Sequence, residues 1–194
     1  MVDIRPPATI LQFSATINSR RPEDKMREFV IAYYLEDQAF SVAEKRVPNS
    51  GFGSGQFLKK TVVNNPKTGK PYEPREVYVG AVIDMGGWQF TLQEASEDAL
   101  KVMEAHSDVF TKCDLNELLK ITRERMTVSS PECLVMFQKY DTRKRGYVTL
   151  AEVQEVLLKC GIDFGDQEFL TLFRRYQVRG IDFFDYQSFV RNLV

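Results

Sequence analysis

The chain has 194 residues, 43% hydrophobic and 27% charged, enough for one medium domain or two small ones and incompatible with wholesale disorder. Its formal net charge of −1 gives no general reason to expect nucleic acid, since binders of phosphate backbones carry a basic excess. No apolar run approaches the roughly 20 residues that span a bilayer, and the opening Met1-Val2-Asp3-Ile4-Arg5-Pro6-Pro7 lacks the apolar core of a secretory signal.

Residues 1–8 form a polar, proline-containing lead-in, expected to be extended. Ile10, Gln12, Ser14 and Thr16 then alternate with Leu11, Phe13, Ala15 and Ile17, the period of a strand with one buried face. After a charged turn through Pro22, residues 28–45 read as a hairpin, two strands joined by the polar Glu36-Asp37-Gln38. A loop follows in which Gly51, Gly53 and Gly55 surround Phe52 and Phe57. Glycine serves where the backbone turns through positive φ or passes close to another surface. The loop therefore reads either as closure of the domain or as a docking edge. Asn49, Phe52 and Phe57 are its candidate partner contacts, with Phe57 the one favoured to face inward. Gly51-Phe52-Gly53-Ser54-Gly55 lacks the GxGxxG spacing of a phosphate loop, and no helix-like segment follows it.

Residues 56–63 read as another strand and residues 64–71 as a turn. Lys59, Lys60, Lys67, Lys70 and Arg75 against Glu73 make a mild cationic patch, either a solvated loop or a contact for an acidic partner. Val77, Val79, Ala81 and Ile83 alternate as a strand, Gly86-Gly87 marks a tight hairpin turn, and residues 88–92 return. Ser96-Glu97-Asp98 then opens a helix as cap and acidic first turn. About six strands and one helix describe an α+β fold, with a pleckstrin-homology-like small β-barrel and its C-terminal helix over residues 1–108. The basic residues are spread among prolines and asparagines rather than clustered as a phosphoinositide site requires, so no membrane partner is expected.

Residues 109–128 read as a linking amphipathic helix, and residues 129–194 as an all-α EF-hand pair with degenerate loops. Ser129-Ser130-Pro131-Glu132 is a good helix start, and Leu134, Phe137 and Tyr140 continue an apolar stripe. The twelve residues from Asp141 to Glu152 match a calcium loop in frame: Asp141 enters, Gly146 bends, Val148 pairs, Thr149 is a ligand position and Glu152 closes. Arg143 and Arg145 stand at positions three and five, where oxygen ligands belong. Two unit charges at ~4 Å interact by about 4 kcal/mol at an effective dielectric near 20, and a divalent ion doubles that. No metal is expected there, and the loop is expected to close by pairing Arg143 or Arg145 with Asp141 or Glu152. The second loop, from Gln177 to Asp185, is too short to wrap an ion, and Ile181 is expected to pair with Val148. Cys113, Cys133 and Cys160 have no CxxC spacing and read as reduced core side chains of a reducing, intracellular compartment. His106, with no second ligand near it, reads as a helix-end residue. No nucleophile–base pair appears, so neither catalysis, a cofactor nor a small-molecule substrate is expected.

Several stretches carry a family resemblance: Ile10-Leu11-Gln12-Phe13, residues 27–35, and Pro48-Asn49-Ser50-Gly51-Phe52-Gly53-Ser54-Gly55-Gln56-Phe57-Leu58. With Val79-Gly80-Ala81-Val82-Ile83 and Phe90-Thr91-Leu92, they resemble the DM-ten domain of axonemal proteins of the myoclonin (EF-hand-containing ciliary) and protofilament-ribbon family. Larger relatives carry three such domains before the hands, and this chain carries one. The resemblance implies a non-enzymatic microtubule inner protein in the lumen of ciliary doublet microtubules. Its implied partners are tubulin and neighbouring inner proteins, with Lys59, Lys60, Lys67 and Lys70 as further candidate contacts. The alternative is a calcium-responsive ciliary adaptor, against which Arg143, Arg145 and the short second loop count.

Overall fold

Period-two burial organises the N-terminal half, as the alternation in the sequence requires. The structure, a computed structural model, describes residues 9–48 and 51–193, so the lead-in and Asn49 lie outside the described residues. The chain divides into two units, one ending at Thr111 and the other beginning at Lys112.

The first unit contains β1 (Ile10–Ile17), β2 (Phe29–Tyr34), β3 (Ala39–Glu44), β4 (Gly55–Val62), β5 (Val82–Met85), β6 (Trp88–Ala95) and α1 (Glu97–Ala105). The strands form one antiparallel sheet in the order β4-β3-β2-β1-β6-β5. On β1, Leu11, Phe13, Ala15 and Ile17 are buried, and the first three pair with Tyr33, Ile31 and Phe29 of β2. Those rings and branched chains share one face, as strand pleating dictates. The sheet curls around this face. Phe57 of β4 meets Phe29 of β2 at 5.3 Å and Phe90 of β6 at 5.9 Å between ring centroids. Tyr33 donates its hydroxyl to the Tyr72 carbonyl at 2.8 Å, and the Tyr72 hydroxyl accepts from the Asp84 amide at 3.1 Å.

The barrel expected from the sequence is a curled open sheet, with β4 and β5 as its edges among the described residues. One cause is the shortness of β5. Val77, Val79, Ala81 and Ile83 are all buried, as their alternation requires, yet the Ala81 amide donates to the Tyr78 carbonyl in a turn and only Val82–Met85 is strand. Ser96 caps α1 by accepting from the Ala99 amide, Ala99, Leu100 and Met103 face inward, and His106 is the C-terminal cap.

The second unit contains α2 (Leu115–Arg125), α3 (Ser130–Tyr140), β7 (Tyr147–Thr149), α4 (Leu150–Lys159), α5 (Asp166–Tyr176), β8 (Phe183–Asp185) and α6 (Tyr186–Arg191). Ser129 and Glu132 cap α3 reciprocally, and Thr149 and Glu152 do the same for α4, which satisfies amides a helix start leaves open. Phe137, Val153, Val156, Leu172, Phe184 and Phe189 are fully buried in one core, which Leu119 of α2 joins. The unit is helical except for the two-stranded ladder β7–β8.

That ladder pairs Val148 with Phe184, not with Ile181, which is exposed. The reason is register against the following helix. Val148 directly precedes Thr149, the cap of α4, and Phe184 directly precedes Asp185, the cap of α6. The three cysteines are buried and not joined in disulfides. Among the described residues, no helix is long and apolar enough to cross a membrane.

Candidate functional site

The loop between α3 and α4 folds around Asp141, which is 5% exposed. One carboxylate oxygen accepts from the Arg145 amide at 2.9 Å. The other accepts from the Gly146 amide at 2.6 Å and from the Tyr186 hydroxyl at 3.0 Å. Gly146 has φ 88°, a left-handed conformation that L side chains rarely adopt, and this aims its N–H at Asp141. Burial alone would raise the Asp141 pKa; the two amides, the Tyr186 hydroxyl and the Arg145 charge outweigh it and hold the carboxyl below its usual range. The Tyr186 hydroxyl is pushed up, first by burial and then by Asp141.

At the other end of the loop, one Glu152 oxygen accepts from the Thr149 amide at 2.7 Å and from its hydroxyl at 2.8 Å. Neither arginine forms the ion pair expected from the sequence. The Arg145 guanidinium lies over the Tyr147 and Phe183 rings at 4.7 and 5.4 Å, and Arg143 is exposed. A cation over two ring faces in a cross-strand corner gains attraction while staying hydrated, which burial beside Asp141 would forfeit. In the second loop, Gln177 donates to Asp182 and both Asp185 oxygens cap Ser188.

These donors do not fit calcium. Coordination needs six to eight oxygens; here the two Asp141 oxygens together already accept from three protein donors, and positions three and five are cations. Among the described residues, no group of three or more His, Cys, Asp or Glu is placed to hold a metal ion.

The glycine loop is anchored by a residue that sequence reasoning passed over, Arg27. It is 9% exposed, and its guanidinium donates to both Glu44 oxygens at 2.7 and 2.9 Å and to Asp24 at 3.0 Å. The same guanidinium lies over Phe52 at 4.4 Å, Phe29 at 5.1 Å and Phe57 at 5.4 Å. The Glu44 hydrogen bonds raise its pKa further, against its desolvation. Phe57 also packs edge-on against Trp88. The loop thus closes over the unit's own core. A side chain at Gly51, Gly53 or Gly55 would meet nothing within 4 Å, so the glycines there serve no close approach.

The cationic residues lie on β4 and the turn after it. Lys60 pairs with Asp37 and sits over the Tyr34 ring at 4.3 Å; Arg75 pairs with Glu73 at 2.7 Å. Lys59, Lys67 and Lys70 are exposed and have no acidic partner among the described residues. The turn carrying the latter two is ordered by Asn65. Its side chain accepts from the Lys67 amide at 2.9 Å and donates to Glu76 at 2.7 Å, and its amide donates to the Lys70 carbonyl at 2.8 Å.

Residues 5–99, which include the curled sheet, match the DM10 domain family. That stretch, just under half of the 194 residues, reads as a DM10 domain. It is also similar to EF-hand domain-containing family member C2 of Bos taurus, 31% identical over 176 residues, 87% of this chain and 24% of that protein. The Danio rerio protein of the same name is 25% identical over 179 residues, 89% of this chain and 24% of that protein. EF-hand domain-containing protein 1 of Homo sapiens is 33% identical over 120 residues, 60% of this chain and 19% of that protein. The chain therefore spans about a quarter or less of these relatives. Of the residues singled out from the sequence, Phe52, Phe57, Lys59, Lys60, Lys67 and Lys70 fall inside the DM10 match. Asp141, Arg143, Arg145, Gly146, Thr149 and Glu152 fall after it. Arg27 lies in the DM10 domain too. Its signal was a basic residue two positions before an apolar strand whose first residue, Phe29, pairs with Glu44 at the far end of the same hairpin.

Proposed function

We propose that this DM10 protein is a non-enzymatic structural component of the ciliary axoneme, binding tubulin and neighbouring inner proteins in the lumen of doublet microtubules. The DM10 match supports the ciliary assignment, through the family resemblance described above. The observation that carries the structural role is the closed loop at Asp141, whose carboxylate accepts from two of the loop's own amides and from the Tyr186 hydroxyl. The curled sheet with α1 then acts as a pleckstrin-homology-like surface and the helical unit as a degenerate EF-hand pair, both offering fixed shapes to the wall. A scaffold needs shape and no switch. Names of DM10 and EF-hand proteins denote no enzymatic family.

Fractionation of axonemes tests the reading. The protein is expected to stay with doublets after detergent and high salt; release into the membrane and matrix fraction would reject the lumenal role.

A further inference from the structure

We infer that the outer edge of β4 is a docking edge for an extended acidic segment of a partner, added to the DM10 sheet as one more strand. The inference deepens the wall-binding reading above by naming the mode of contact, and its test can fail without touching the extraction result.

Three observations point to this edge. First, among the described residues nothing pairs with the outer side of β4, which is eight residues long and exposed along most of its length. An edge strand leaves alternate N–H and C=O groups unpaired, and these template another extended chain. Pairing to β3 is irregular near Val42, but Ala39 meets Val62 and Phe40 meets Thr61 in step, so the far end of β4 is ordinary strand. The other edge, β5, has four residues and presents Asp84.

Second, the unmatched charge on this edge has one sign. Lys59 stands on β4, and Lys67 and Lys70 stand on the turn that continues from it; all three lack acidic partners among the described residues. Lys60 is already matched by Asp37. Lysines on an edge also discourage two copies from pairing through it, so the favoured occupant is an acidic segment rather than a second copy.

Third, the turn is built before any partner arrives. Asn65, 8% exposed, uses its amide oxygen, its amide nitrogen and its backbone to fix the chain between residues 64 and 71. Cations on a pre-ordered turn lose less conformational freedom on binding than cations on a loose one. Exposed Val62, between the turn and Thr61, offers an apolar contact to a β-branched residue of the incoming strand.

The test uses the full chain and an array of eight-residue peptides in which Glu alternates with Val, Ile or Thr. Matched peptides carry two central prolines, and vesicles of phosphatidylserine serve as a second anionic surface. Alternating acidic peptides should bind, at least about tenfold tighter than their proline versions, because proline removes ladder donors. Amide exchange over β4 should slow by at least about tenfold at saturation. The Lys59→Glu/Lys67→Glu/Lys70→Glu variant changes only exposed side chains; its melting temperature should be unchanged and its preference should move to alternating lysine peptides. Absence of acidic-peptide binding would overturn the inference. So would binding that ignores proline or leaves β4 exchange unaltered, including adsorption to the vesicles alone, since each describes a cationic surface without strand addition.

Discussion

Asp141 and Tyr186 meet across the two helix–loop–helix halves of the second unit in a 3.0 Å hydrogen bond. A hydrogen bond to a buried carboxylate is worth about 1.5–3 kcal/mol, so Tyr186→Phe should destabilise the unit by about 2 kcal/mol while leaving its ring stacked on Phe137. Urea denaturation followed by circular dichroism measures this. The folded Asp141 pKa is depressed, so its stabilisation is complete above the ordinary carboxylate range and is lost as pH falls through the folded value. Asp141→Asn should flatten that acid limb of the stability curve, and an unchanged limb would assign the acid sensitivity elsewhere. Arg27 is the corresponding residue of the first unit. Arg27→Met leaves the Glu44 and Asp24 carboxylates facing a void of charge, and breaking one member of a buried ion cluster costs roughly 3–5 kcal/mol. The melting temperature of the DM10 domain is expected to drop accordingly, with Arg27→Lys intermediate because the two-pronged contact to Glu44 is lost.

At the scale of elements, the two rings of the glycine loop have different duties. Phe57 touches Phe29, Trp88 and Phe90, whereas Phe52 has its Arg27 contact at 4.4 Å and sits half-buried. Phe57→Asp is expected to unfold the DM10 domain, and Phe52→Asp to leave it folded with a lower melting temperature. If the two variants melted alike, the loop would be a surface appendage and not part of the core. The strands themselves were legible because alternation is a local property: Leu11, Phe13, Ala15 and Ile17 declare a buried face without knowledge of the partner strand. What was not legible depends on distant pairings. The Arg145 cation–π contact needs Phe183, which reaches Tyr147 only through the β7–β8 ladder, and the anchor at Arg27 needs Glu44 seventeen positions away. Phe184 rather than Ile181 meets Val148 because it directly precedes the helix cap Asp185, as Val148 precedes Thr149. The open edge at β4 is likewise a property of strand order, which alternation does not encode.

For the whole molecule, the question is whether calcium changes anything. A functional loop with a dissociation constant of about 1 μM, at about 1 mM calcium, would add about 4 kcal/mol to the folded state. In a unit of this size that raises the melting temperature by well over ten degrees, since about 1 kcal/mol moves a domain of 60–100 residues by 4–8 °C. The Asp141 carboxylate already accepts from three protein donors, and arginines stand at the third and fifth loop positions where oxygen ligands belong. Scanning calorimetry with 1 mM calcium and then with excess chelator should give melting temperatures for the second unit that agree within about 1 °C. A stabilisation of several degrees that chelator reverses would reinstate the calcium-responsive adaptor and remove the main support for a fixed scaffold. The informative control is Arg143→Asp/Arg145→Asp/Tyr186→Phe. It returns oxygen ligands to positions three and five and removes one of the two donors on an Asp141 oxygen, so this variant alone should gain a calcium-dependent rise in melting temperature. Gain in the variant with none in the parent would show that the frame from Asp141 to Glu152 keeps the geometry of an ion loop and that only its occupants have changed.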